Sequence, residues 1–248
     1  MTANEMNLQF DIQYNNIAGQ SNPSLDIYEK SVYLTKAQLE IVKNYYDPDS
    51  NRKKRGFENS EKRRVDLKQL VKDYKINIST TNSIAIHPSS RFFVVPSELF
   101  LIINEKVKVK SEDCANGTII EVIPITHDEF NTQIKNPFQN PNEDVAWRLN
   151  ISNIVNDKVV EIISPYNILG SLEYQIRYIK YPKPIIITNL NTAFPSDNLT
   201  IDGIFVETPC ELNTEICREI LDRAVLLATA DYRPQNLQVK AQMSQTNE

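Results

Sequence analysis

The spacing of apolar residues in this chain of 248 residues changes period twice, and that switch limits the fold more than any single motif. Met6, Phe10, Tyr14 and Ile17 recur at helical intervals. Residues 172–178 alternate strictly, and Ile216, Cys217, Ile220, Leu221 and Ala224 return to a helical repeat. A 3.6-residue repeat buries one stripe of a helix, and a period of 2 buries one face of a strand. Helices should therefore flank a sheet-forming middle. The fold class that follows is α+β: a helical bundle formed by the N-terminal helices and the C-terminal helix, with a central antiparallel β-rich block, sandwich or barrel-like. The expected divisions are 1–75 (helical), 76–209 (β-rich), 210–232 (the last helix, packing on the first ones) and 233–248 (an extended tail). The middle holds too many short elements for a βαβ winding.

Local signals place the helices. Thr2 and Glu5 have capping-box spacing ahead of the first apolar stripe, although Met6, Leu8, Phe10 and Ile12 also fit a strand. A short helical turn is expected over 25–30. Thr35 and Gln38 repeat the spacing and predict a second helix from there to Asp47-Pro48. Asn59 or Ser60 should cap a third, with Val65, Leu67, Leu70, Val71 and Tyr74 on its apolar side. Thr126 and Glu129 predict a helix interrupting the sheet, while 185–188 and 201–206 read as further strands. Asn213 or Thr214 opens the last helix, where Arg218 with Asp222 and Glu219 with Arg223 are candidate i, i+4 ion pairs.

The second half of that helix, residues 224–230, is apolar around nearly its whole circumference and must be covered on several sides. One copy alone is expected to leave apolar surface there for other subunits to cover. Val225, Leu226 and Leu227 are thus candidate inter-subunit contacts, together with Leu237, Val239 and Met243 of a tail that can dock as an extended arm.

Composition excludes several chemistries. Five scattered glycines allow neither GxxxxGK nor GxGxxG, so nucleotide enzymes built on such loops are ruled out. Two histidines and three cysteines leave little for a metal cage. His127-Asp128-Glu129 with Pro209-Cys210 mimics a zinc deaminase signature, but Asn213 stands where the second cysteine belongs. Neither His87 nor His127 lies in a nucleophile motif, and Trp147 reads as core. No cofactor, no metal and no catalytic residue are expected. The N-terminus shows no basic and apolar leader pattern and no window reaches the ~20 apolar residues of a bilayer span, so the expectation is a cytosolic protein without a membrane partner.

Net charge is −5, unevenly placed. Residues 52–75 carry ten basic against four acidic side chains, a local excess of six. Arg52, Lys53, Lys54, Arg55, Arg63 and Arg64 are the candidates for contact with an anionic partner or DNA; the plainer reading is a solvated loop and helix face.

Three groups of segments together resemble one family. They are Met1-Thr2-Ala3-Asn4-Glu5 with Ser31-Val32-Tyr33-Leu34-Thr35-Lys36-Ala37-Gln38; Phe57-Glu58-Asn59-Ser60-Glu61-Lys62-Arg63-Arg64; and Thr126-His127-Asp128-Glu129-Phe130 with Asn136-Pro137-Phe138, residues 174–184 and residues 219–225. They span nearly the full chain and resemble the ring or tail-collar structural proteins of crAss-like bacteriophages, relatives in architecture of head-to-tail connectors. The resemblance implies a virion protein of the neck or tail, assembled in the host cytoplasm. It implies a closed ring of twelve copies that stacks below a portal, encloses the genome channel and performs no catalysis. Its partners would be itself, neighbouring ring or portal proteins and, transiently, double-stranded DNA. Two rival readings are a tail-associated hydrolase, from the β-rich centre and many carboxylates, and a DNA-binding accessory protein, from residues 52–75.

Overall fold

The computed structural model describes residues 1–18, 24–47, 56–76, 79–80, 85–109, 117–151, 158–165 and 172–232. The chain divides into two compact units, one of Met1–Leu70 with Pro182–Glu248 and one of Val71–Tyr181.

In the first unit, α1 (Ala3–Ala18) opens with the expected capping box: the Glu5 amide donates to Thr2 Oγ1 at 3.2 Å, and the Thr2 amide donates to Glu5 Oε2 at 2.9 Å. Met6, Phe10 and Tyr14 are buried while Leu8 and Ile12 are exposed, so the helical repeat wins over the alternating one. The helix α2 (Ile27–Tyr46) is one unbroken element rather than a turn followed by a helix from Thr35. Asp26 and Glu29 form its capping box, and no Gly or Pro interrupts the residues between that box and Thr35.

Thr35 therefore lies mid-helix, and its hydroxyl serves another purpose. The amides of Ile187 and Ile185 donate to Ser31 Oγ (3.3 Å) and Thr35 Oγ1 (3.1 Å), and Gln38 Nε2 donates to the Lys183 carbonyl at 3.3 Å. An extended chain advances about 6.7 Å per two residues and a helix about 6 Å per four, so the two run in step. Ile185, Ile186 and Ile187 are all buried, and the hydroxyls of α2 satisfy amides that water does not reach.

The segments expected as strands at 185–188 and 201–206 thus belong to this helical unit. They form only isolated bridges, Ile186 with Thr208 and Ile201 with Ile204. Asp202 and Gly203, at φ 50° and 78°, make the tight turn of the second bridge. The helix α3 (Glu61–Leu67) ends in a 3-10 turn, and Val71 and Tyr74 leave it for a strand. Its Val65 is exposed, whereas Leu67 and Leu70 are buried. A short α5 (Leu190–Ala193) precedes α6 (Thr214–Tyr232), which is capped by Asn213, whose Oδ1 accepts from the Ile216 amide at 2.9 Å.

Cross-helix bonds make α6 antiparallel to α2: Tyr45 donates to Glu219 (2.6 Å), Arg223 to Glu40 (2.8 Å) and Tyr33 to Asp231 (2.8 Å). Gln13 of α1 donates to Asp222 at 2.8 Å. Glu219, Asp222 and Arg223, expected to form pairs within α6, instead reach across to other elements of the bundle. An exposed i, i+4 pair is worth only a few tenths of a kcal/mol, so partners on packed neighbouring elements, Tyr45 and Lys62 for Glu219, compete with it readily.

The second unit is a mixed sheet with one helix. Its strands are β1 (Val71–Ile76), β2 (Ser79–Thr80), β3 (Ser90–Val94), β4 (Leu99–Val109), β5 (Ile119–Pro124), β6 (Val145–Ile151), β7 (Val159–Ile163) and β8 (Leu172–Lys180). They are ordered β1-β8-β4-β5-β6-β7-β3-β2. Each junction is antiparallel except β5 with β6, where α4 (His127–Gln133) carries the chain back and the two strands run parallel. The Thr126–Glu129 capping box starts α4 as expected, at 3.3 Å in both directions.

The sheet rolls into a barrel-like form. Phe93 of β3 and Tyr174 of β8 stand five strand positions apart, about 24 Å across a flat sheet. Their ring centroids are nevertheless 5.5 Å apart. The outermost strands β1 and β2 are also separated by only two residues of chain, a reach of about 11 Å at most. Inward-facing residues of β1 and β3 to β8 form one core, including Ile76, Phe93, Val107, Ile120, Ala146, Ile162 and Tyr174. Outside it, Phe130 of α4 packs edge-on over Trp147 with centroids 6.1 Å apart, beside Leu149 and Ile163.

Candidate assembly surfaces

The basic segment is not one surface. Arg52, Lys53, Lys54 and Arg55 lie outside the described residues. Arg63 places its guanidinium carbon 5.0 Å from the centroid of the Tyr45 ring and donates to the Asn44 carbonyl at 3.4 Å, so it is engaged with its own chain. Burial, reinforced by Glu219, pushes the Tyr45 hydroxyl well above the usual tyrosine range and keeps it a donor. Lys62 pairs with the same Glu219 at 3.2 Å. Arg64 is exposed and donates to the Glu58 carbonyl at 3.3 Å, and Lys68 is exposed beyond it. Lys72 and Lys75 are carried by β1 in the other unit. There Asp73 and Arg177 pair at 2.7 Å, and that bond holds the Asp73 carboxyl below its ordinary range. Charges on an edge strand discourage pairing with foreign strands.

The apolar half of α6 departs from expectation at Val225. It is 1 % exposed within a single chain, on a helix that packs against α1 and α2, so the isolated subunit does not offer it to a neighbour. Leu226 and Leu227 are half-buried. Leu237, Val239 and Met243 lie outside the described residues.

A cluster of buried polar groups lies inside the barrel. Tyr174 donates to Glu105 Oε2 at 2.6 Å, and Arg148 Nε stands 3.0 Å from the same oxygen as an ion pair without hydrogen-bond geometry. Arg148 also donates to Asn150 Oδ1 at 2.7 Å. Burial raises the Glu105 carboxyl above its ordinary range, opposed by Arg148 and Tyr174. The arrangement cross-ties three strands, β4, β6 and β8, and its acid already has both a cation and a donor. His127 Nε2 sits 3.1 Å from the Asn150 carbonyl, which with the capping box accounts for the His-Asp-Glu triplet. Among the described residues, no group of three or more His, Cys, Asp or Glu side chains could hold a metal, and no helix is long and apolar enough to cross a membrane.

A surface that sequence reasoning missed lies on the barrel's outer wall. Phe138 is 93 % exposed, and Ile119 and Ile123 of β5 are exposed on the strand's outer face. Phe138 and Ile123 border a shallow depression whose lining includes Val145 and Trp147. The Phe138 loop is firmly tied: Asn136 Oδ1 accepts from the Phe138 amide at 3.1 Å, and the Gln139 amide donates to the Asn136 carbonyl at 3.0 Å. The available signal was that β5 carries Ile119 and Ile123 at outward positions on either side of Glu121, where a strand with one wet face is mostly polar. A second exposed apolar stripe, Leu8 and Ile12, runs along α1.

Comparison with known proteins follows the same lines. A family model described as "Phage tail ring protein 3/4" matches residues 1–240. "Ring protein 4/5" of Bacteroides phage crAss001 is 37% identical over 249 residues, covering 100% of both chains. "Ring protein 3" of the same phage is 34% identical over 230 residues, covering 92% of this chain and 95% of that protein.

Proposed function

Because this chain belongs to the crAss-like phage tail ring protein 3/4 family, we propose that it forms a closed ring in the neck or tail, stacked below the portal and enclosing the genome channel. The observation that carries this reading is that the likeness to two ring proteins runs across both compact units. The virion role as a structural ring component comes with the family; the neck position, a ring of twelve and assembly in the host cytoplasm are the proposal. A subunit in such a ring meets its neighbours through two different faces related by a rotation that must close. The barrel and the bundle suit that duty, since each buries its own core and leaves side chains on the outside for contact.

The role is non-catalytic. The barrel's buried acid is already bound to Arg148 and Tyr174, which makes it a tie between strands. The partners are further copies and neighbouring virion rings, with channel DNA in transient contact through the basic residues that begin at Arg52. Electron microscopy of the purified protein and of virions tests the reading: rings with twelvefold averages in the neck are expected, and single unrepeated copies there would refute it.

A further inference from the structure

Resting on that ring reading, we propose that the outer wall around Phe138 and β5 is the surface that receives α3 of the next copy. Phe138, Ile119 and Ile123 are large apolar side chains left in water, and the hydrogen-bonded turn at Asn136 fixes the backbone that carries the phenyl ring. A patch of this kind, rimmed by charge, marks an interface.

The rim is mainly acidic. Asp128, Glu129, Glu143 and Asp144 are exposed on the side of α4 and the start of β6. On the β4 side, Lys106 and Lys108 are half-buried and stand opposite Glu121 and Glu173. The helix α3 presents cations about an apolar centre. Val65 is 59 % exposed, Lys62, Arg64 and Lys68 are exposed around it, and Glu58 and Glu61 lie near the helix start. Val65 against the Phe138 depression sets those cations against the exposed carboxylates. Such complementarity suppresses wrong partners. A cation beside the exposed ring adds to the attraction. Because the two faces differ, the contact is heterologous, the type from which rings are built. The Leu8 and Ile12 stripe of α1 is flanked by the acids Glu5 and Asp11 rather than by cations and is the rival occupant.

Two variants test the assignment by mixing. Phe138→Asp with Ile123→Asp removes the receiving face, and Val65→Asp with Arg64→Glu removes the inserted one. All four sites are exposed, so circular dichroism melts should match the wild type. Each variant alone should stay monomeric by mass photometry, with self-association weakened at least about tenfold. Mixed one to one, each supplies the face the other lacks, and the product should be a dimer that grows no further. A wild type that assembles while either variant also assembles normally, or a mixture that gives no dimer, would overturn this assignment and leave the ring reading standing. Loss of assembly on Leu8→Ser with Ile12→Ser but on neither variant would assign the contact to α1 instead. A wild type that remains monomeric would overturn both readings.

Discussion

Thr35→Val isolates what the α2 hydroxyls do. Valine has nearly the shape of threonine, so packing is kept while Oγ1 is lost. The Ile185 amide, 3.1 Å from that oxygen, lies on a residue with no exposed surface, so no water replaces the bond. A buried donor left unpaired costs about 1–3 kcal/mol. The companion contact from Oγ1 to the Ile185 carbonyl is 3.4 Å long and adds little. The expected loss is about 2 kcal/mol, or roughly 4–8 °C in Tm for a chain of this length. Thr35→Ser is the control: it keeps the hydroxyl and loses one methyl, costing about 0.8 kcal/mol. Urea unfolding followed by far-UV circular dichroism should therefore rank wild type above Thr35→Ser above Thr35→Val. If valine is tolerated as well as serine, the hydroxyl does not hold the 183–187 segment and the account of α2 is wrong.

Three further outcomes are expected. Phe10→Ala empties a fully buried site and should cost about 3–5 kcal/mol in urea unfolding, whereas Leu8→Ala on the exposed side should stay within about 0.5 kcal/mol; equal costs would reverse the assigned faces of α1. Burial raises the Glu105 carboxyl in the folded state, so the native chain binds its proton more tightly than the unfolded one. Stability should then fall as pH rises from the ordinary glutamate range through the raised folded value, and Glu105→Gln should remove that part of a urea-midpoint profile; an unchanged slope would contradict the burial account. Gly203→Ala meets no atom within 4 Å but must hold φ 78°, so it should cost about 1–2 kcal/mol from backbone strain alone, measured as a Tm shift.

Much of the fold was legible because its signals are local. The boxes at Thr2 and Thr126 involve residues three apart, and both formed. The same spacing at Thr35 and Gln38 misled, because their partners Ile185 and Lys183 lie 150 and 145 positions along the chain. Isoleucines at 185–187 look like a strand for the same reason: an extended apolar segment has one pattern whether a strand or a helix side chain completes its hydrogen bonds. Of the candidate contacts, Val225 is already buried within the single chain, and a helix apolar on all sides states that it must be covered, not by which chain.

Sequence alone determined the periods, and with them the α+β class, the caps of α1 and α4 and the kinship to ring proteins, since each depends on residues within a turn or a strand of one another or on similarity along the chain. Tertiary structure alone decided that the sheet curls until Phe93 meets Tyr174, that β5 and β6 run parallel, that Glu105 pairs with Arg148 inside the barrel, and that Phe138 stands in solvent. Those depend on which distant segments become neighbours, and periodicity specifies that a face must be buried without specifying what buries it.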